Sequence, residues 1–307
     1  MRGRWGRPDR LQGRSGRAAR RSPALARCGL QGRPISVRAV TRITRILAPN
    51  PGPYTLEGTN TWVIGGGPSF VVDPGPRDED HIAEVVRSAR DVVAILLTHH
   101  HPDHAPGAAA VGAATGAPIA ALLPQEGEMA LSAGEVVRGG AVALEVVATP
   151  GHSSDHAAFY ERDSGALFTG DAVLGRGTSV VDPPDGDMAE YVDSLRRMLE
   201  LGPSVIYPGH GPAVWSGAGK LREYLEHRAL RERQVLDGLR RGPRSPEALV
   251  PGIYEEYPEA LRGAAARSVL AHLLKLEREG VVTMRDGPDG EPLFALAGSA
   301  GAAAGTT

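Results

Sequence analysis

The chain has 307 residues, a formal net charge of −2, 41% hydrophobic residues and a single cysteine, Cys28. That is enough for one large domain plus a small one, with a substantial core. No apolar run approaches the roughly 18 residues that cross a bilayer, and one cysteine excludes both an internal disulfide framework and a cysteine-based zinc knuckle.

Taken in chain order, charge is the first feature. Residues 1–45 carry 13 arginines and one acid, Asp9, whereas residues 46–220 carry 9 basic and 22 acidic residues. Residues 221–307 are nearly balanced, with 12 basic and 13 acidic. The arginine-rich head, residues 1–36, lacks the apolar stretch of a secretory signal. It is expected to be a disordered extension or a start assigned too far upstream. A transit peptide and a nucleic-acid-binding arm are the other two readings. The expected location is the cytoplasm, or an organelle if the head is a transit peptide.

"ISVRAVTRITRILAP" alternates like a strand, and "TWVIGG" and "SFVVDPG" are short apolar runs closed by Gly or Pro. "DEDHIAEVVRSAR" has helical spacing with an acidic first turn. "VVAILLT" is a buried strand, and "DHAPGAAAVGAATG" a small-residue helix. "VALEVVATPGH", "AAFYERDSGALFTGD" and "SVIYPGHG" are strands running into loops tipped by His or Asp. "DMAEYVDSLRRMLEL" is an amphipathic helix with Met188, Tyr191, Val192, Leu195, Met198 and Leu199 on one face. After residue 216 come a long charged helix, two shorter ones and a hairpin, the pattern of a small winged-helix-like domain. The expected division is a head at 1–36, a catalytic domain at 37–216, a winged-helix-like domain at 217–297 and a disordered tail at 298–307.

The chemistry concentrates in "LLTHHHPDHAPG", where four of the ten histidines fall between residues 99 and 104. In an extended segment, residues i and i+2 point the same way. His99 and His101 therefore face one point while His100 faces away, and Asp103 and His104 reach a neighbouring point after Pro102. Zn²⁺ takes about four N, O or S ligands, so further donors must come from other strand ends. "TPGHSS" offers His152, "FTGDAV" Asp171 and "YPGHGP" His210. His99, His101 and His152 would hold one Zn²⁺, and Asp103, His104 and His210 a second, with Asp171 bridging. Mn²⁺ and Fe²⁺ accept the same N/O set. A shared water would become the nucleophile as a bridging hydroxide, and Asp103 would orient it or take its proton as the catalytic residue.

Around these ligands, Asp73 is either a turn residue or the partner of a ligand histidine's second N–H. His156 is a packed or supporting residue. Asn60 in "GTN" and Arg176 in "LGRGTS" either line the pocket or form turns. His81, His227 and His272 lie on predicted helices with no assigned chemistry.

"THHHPDH" resembles the T-H-x-H-x-D-H signature of the metallo-β-lactamase superfamily, and "TPGHS", "FTGD" and "YPGHG" match its later motifs in order. This implies an α/β fold, a four-layer αβ/βα sandwich with the site at one edge of two sheets. "NPGPYTLEGTNTWVIG", "LFTGDAVLGRGTSVVD" and "YLEHRALRERQVL" resemble the β-lactamase-like protein 2 group over roughly residues 45–285. In that group the C-terminal domain helps wall the active-site entrance. Its animal members cut single-stranded RNA, and its fungal relatives resemble thioesterases acting on a carrier protein. Secreted zinc β-lactamases use a cysteine in the second site; Asp171 here resembles instead the hydroxyacylglutathione hydrolase type.

The expected function is a zinc-dependent hydrolase of an ester or thioester, small or carrier-bound. A single-stranded RNA endoribonuclease is the alternative, and a non-catalytic winged-helix regulator a distant one. The acidic catalytic segment weighs against a long RNA track, leaving at most a short strand. No DNA and no membrane are expected as partners, and the oligomeric state is left open.

Overall fold

The computed structural model describes residues 41–255, 259–288 and 290–298. The arginine-rich head and nearly all of the expected tail lie outside the described residues.

Two sheets face each other. The first runs in chain order: β1 (Ile43–Leu47), β2 (Asn60–Ile64), β3 (Ser69–Val72), β4 (Val92–Leu96), β5 (Ile119–Ala121) and β6 (Met129–Ala130). Its first three strands are antiparallel and the rest parallel. The change reflects the connections, because parallel neighbours need a crossover. The crossovers are α1 (Glu79–Ser88) and α2 (Ala108–Thr115). Asp78 caps α1 by accepting the His81 N–H at 2.8 Å, and Glu79 and Asp80 complement the helix dipole.

The second sheet comprises β7 (Val136–Gly139), β8 (Val142–Ala148), β9 (Ala157–Glu161), β10 (Ala166–Gly170) and β11 (Val205–Pro208), ordered β11-β10-β9-β8-β7. Only β10 and β11 are parallel, joined through α3 (Met188–Glu200). β2, β3, β9 and β10 are buried along their whole length, hence their continuous apolar character, whereas β8 alternates.

Trp62, Phe70 and Leu96 meet Leu144, Phe159 and Phe168 between the sheets. Each such fully buried side chain contributes roughly 1.5–3 kcal/mol. α1 and α2 cover the first sheet through Val85 and Val111. α3 and α4 (Gly217–Leu239) cover the second through Tyr191, Leu195, Leu221 and Tyr224. The result is the expected four-layer sandwich.

A third core lies beyond it. Val235 and Leu239, at the far end of α4, pack with α5 (Pro246–Ile253), α6 (Arg262–Arg278), β12 (Val282–Asp286) and β13 (Pro292–Leu296). One helix thus contributes to two cores, and Ala271 of α6 reaches back into the sandwich layer. The division expected at residue 217 falls at the start of this shared helix. Among the described residues no helix is long and apolar enough to cross a membrane.

Candidate metal centre

All seven expected donors meet at one edge of the two sheets. His99, His101, Asp103 and His104 come after β4, His152 after β8 and His210 after β11, while Asp171 ends β10. Their donor atoms form three sets that each fit a single cation: His99, His101 and His152; His99, His104 and Asp171; Asp103, His104 and His210. His101 Nδ1 lies 3.1 Å from His152 Nε2, and His104 Nε2 lies 3.3 Å from His210 Nε2. Asp103 Oδ2 is 3.0 Å from His210 Nε2, and Asp171 Oδ1 is 3.3 Å from both His104 and His210. Donors about 2.0–2.1 Å from a tetrahedral ion sit roughly 3.3–3.4 Å apart, so these spacings match.

The hydrogen bonds behind the rings fix which nitrogen faces inward. His104 Nδ1 donates to Asp73 Oδ2 at 2.9 Å, His152 Nδ1 to the Val180 carbonyl at 2.8 Å and His210 Nδ1 to the Gly58 carbonyl at 3.1 Å. Asp73 accepts the Thr98 N–H and hydroxyl at 2.8 and 2.7 Å, so the Thr98 oxygen is left to accept from His99 Nδ1 at 2.9 Å. Each of these imidazoles therefore presents a bare Nε2 to the centre, as metal-binding histidines do. His99 Nε2 and Asp171 Oδ1 are buried with no hydrogen-bond partner among the described residues. Clustered lone pairs of this kind repel unless a cation lies between them.

Electrostatics agree. Burial pushes the Asp103 and Asp171 carboxyls up, yet the neighbouring histidines outweigh it and hold both below the usual range. Burial opposes a charge on His104, but Asp171 and Asp73 raise it well above the ordinary value. The cluster attracts positive charge. Glycine makes room: a Cβ on Gly209 would sit 2.6 Å from Asp171 Oδ1 and 2.7 Å from His104 Cε1. Gly170, at φ +45°, brings Asp171 round the end of β10, where a Cβ would strike Thr98.

The surrounding residues divide. Asp73, itself at φ +49°, is the anchor of His104 rather than only a turn residue. His100 faces away, bonded to Asp155 at 2.6 Å and Glu128 at 2.9 Å. His156 is buried, its pKa pushed down to about 3 chiefly by burial, and its Nε2 accepts the Asp171 N–H at 3.2 Å. It positions a donor. Asn60 does not line the cavity. It is fully buried, and its amide donates to the Pro208 and Gly211 carbonyls at 2.9 and 2.8 Å, clasping the loop that carries His210. Arg176 does line the cavity, paired with Glu57 at 2.6 Å. His81, His227 and His272 stay outside the donor sets.

Sequence reasoning missed Thr98, Ser179, whose hydroxyl lies 3.2 Å from His152 Nδ1, and the Gly58 and Val180 carbonyls. Backbone acceptors carry no sequence signal, and Thr98 is recognisable only once Asp73 is seen beside it. A cavity of about 650 Å³ opens on the donors. Its other sides are Pro53–Leu56, residues 174–185, and Tyr254, Leu261, Ala264 and Ser268 from the C-terminal part. Arg267 ties that part to the β10–α3 loop through Asp182, and Arg278 through Asp187.

Comparison with known proteins gives matching results. The metallo-β-lactamase superfamily model matches residues 54–210, and the β-lactamase-associated winged helix domain matches residues 245–290. A β-lactamase-like protein 2 homolog of Caenorhabditis elegans is 35% identical over 259 residues, covering 78% of this chain and 85% of that protein. The atrochrysone carboxyl ACP thioesterase of Aspergillus chevalieri is 33% identical over 253 residues, covering 77% and 81%. The crystal structure of a β-lactamase domain protein from Burkholderia ambifaria superposes with a TM-score of 0.72 over 84% of this chain and 91% of that one; at 23% identity it speaks for the fold alone.

Proposed function

This chain belongs to the metallo-β-lactamase superfamily and carries a C-terminal winged-helix domain, and from that premise we propose that it is a metal-dependent hydrolase of carboxylic thioesters. The observation that carries the reading is the convergence of five imidazoles and two carboxylates with their lone pairs facing one another at 3.0–3.3 Å across most of the cluster. His99, His101 and His152 would hold one Zn²⁺, Asp103, His104 and His210 the other, and Asp171 would offer an oxygen to each. Bound there, the pair of cations supplies a nucleophilic water at neutral pH and Lewis acidity toward a carbonyl oxygen. Mn²⁺ or Fe²⁺ suits the same N/O donors.

The protein's own groups orient and enclose. Asp103 lines the cavity with its side chain 26% exposed, and Thr59 donates to its Oδ2 at 3.2 Å, which aims the carboxylate at the reacting side. It is placed to take the proton of the attacking water. His99 and His104 lie behind the donors that line the cavity, and the C-terminal helices wall one side of it.

A thioester is favoured over RNA on charge. Arg176 and Arg267 on the wall are each paired with a carboxylate, and Asp185 also lines the cavity, so no basic track lines the opening among the described residues. The carrier-protein thioesterase among the relatives supports the same class.

Turnover of metal-loaded protein on a thioester panel, with labelled single-stranded RNA in parallel, tests this. Thioester hydrolysis is expected, with Asp103→Ala losing about 10³-fold or more. Absence of thioester turnover, or turnover that survives Asp103→Ala, overturns it. RNA cleavage lost in the same variant would establish the nuclease reading instead.

A further inference from the structure

One arginine of the cavity is unlike the others. Arg228, on α4, lines the cavity yet is only 3% exposed. A guanidinium stays protonated at any working pH, and a buried charge is costly unless paired. Arg176 and Arg267 have carboxylate partners, but Arg228 has none among the described residues. It donates through Nη2 to the Ser179 carbonyl and stacks on the Tyr191 ring at 5.0 Å. Its Nε is buried with no acceptor. A guanidinium has five N–H donors in a planar fork, and this one has the Ser179 carbonyl and the Tyr191 hydroxyl within reach but no carboxylate among the described residues.

Among the described residues no carboxylate is paired with it, and the neighbouring imidazoles do not offset the charge. Burial, with Arg228 the next cause, pushes His227 down to about 4. Burial also lowers His272, and Arg228 adds to the effect. Both rings are neutral at pH 7. Ser268, on α6 one turn before His272, also lines the cavity, is 6% exposed, and has no side-chain hydrogen-bond partner among the described residues.

We propose that Arg228, with Ser268, forms a subsite for a carboxylate on the acyl part of the substrate, so that the enzyme prefers thioesters of acids bearing a second acidic group. The inference rests on the hydrolase reading above and names its substrate class. One net positive charge, with Nη1 the nitrogen that is neither bonded nor fully buried, matches one carboxylate. A cavity of about 650 Å³ holds a small molecule. Asp182 and Asp185 on its wall disfavour a chain of phosphates. The buried position of Arg228 assigns the acid to the acyl side. The thiol of a carrier must leave through the mouth, where Tyr54 is 58% exposed.

Titration calorimetry of the metal-loaded full chain tests this with product-like acids: α,ω-diacids of four to eight carbons against monoacids of equal length. Each pair offers the donor cluster one identical carboxylate, so the affinity ratio reports only the second. At the matching length the diacid is expected to bind about 10-fold tighter or more. Arg228→Met should bring the ratio to about 1, Arg228→Lys should keep part of it, and Ser268→Ala should lower it about 3-fold. If Arg228→Met does not fold, the other two variants and the wild-type series decide. A ratio near 1 at every length in the wild type overturns the subsite, as does a full ratio in the folded variants. A clear ratio without turnover of any thioester keeps the subsite and overturns the reaction.

Discussion

The two sides of the cavity are held in opposite ways. On the donor side the side chains lie at or just after strand ends, and four of the five rings, all but His101, are anchored by hydrogen bonds to Asp73, Thr98 and main-chain carbonyls. On the other side, α6 is tied to the β10–α3 loop by Arg267–Asp182 and Arg278–Asp187, pairs whose side chains are 25–56% exposed. Exposed ion pairs are worth about 0–1 kcal/mol each, whereas losing one partner of a buried charged bond costs several. The donor side is thus rigid and the wall yielding. On the proposed reading the donor side sets the reaction type, and the wall that carries Arg228 and Ser268 the choice of substrate.

The largest effect should come from filling the donor side. Gly209→Ala places a methyl group against Asp171 and His104, and should cost about 10³-fold in turnover with loss of bound metal. Elemental analysis and kinetics check it; a variant with full metal content and activity would break the contrast. Next is Asp73→Asn, which keeps the shape but removes the charge held against His104. Metal affinity should fall about 10–100-fold in a competitive chelator titration, and an unchanged affinity would show that the ring needs no anchor.

On the wall, Arg267→Ala should raise KM about 3–10-fold, more than it lowers kcat, and shift stability by under about 1 kcal/mol. A kcat collapse would mean the wall reaches the reacting atoms.

The smallest effect is acid sensitivity where α4 meets α6. His227 is held at about 4, by burial first and Arg228 next, against an ordinary 6.5. The unfolded chain therefore takes up its proton first, so this stabilisation is present above pH 6.5 and is lost as pH falls toward 4. Glu232, held at about 2 by bonds with His272 and Lys275, adds a loss between pH 4.5 and 2. His227→Gln should flatten the fall of Tm between pH 6.5 and 5, as read by thermal unfolding at a series of pH values. An identical slope would place the acid sensitivity elsewhere.

The donor side was also the legible side. His99 and His101 share a face by strand periodicity, Asp103 and His104 follow in the same run, and His152, Asp171 and His210 each sit in a short Gly-containing motif. The sandwich was legible in apolar runs buried on both faces. The region between residues 117 and 141 was not legible: β5 and β6 have three and two residues, and both β6 residues are exposed, so no periodicity accumulates. Asn60 looked like a pocket residue because its loop does approach the site, yet its amide is spent on the Pro208 and Gly211 carbonyls. Arg228 was hidden within "EHRALRER", where a buried arginine and its solvated neighbours are spelled alike.

The shared helix α4 has a consequence for anyone recombining this architecture. Leu221 and Tyr224 serve the sandwich, and Val235 and Leu239 serve the C-terminal core, along one uninterrupted rod. A chimaera spliced at residue 216 would take from the first partner the α4 part of the cover of its second sheet, and an exposed apolar face of that kind is an aggregation hazard. A seam at residues 240–244 keeps the whole helix with the sandwich, and the new C-terminal segment must then match Val235 and Leu239. Exchanging the segment beyond that seam would keep the seven donors and Arg228 but replace Ser268 and the rest of the opposite wall.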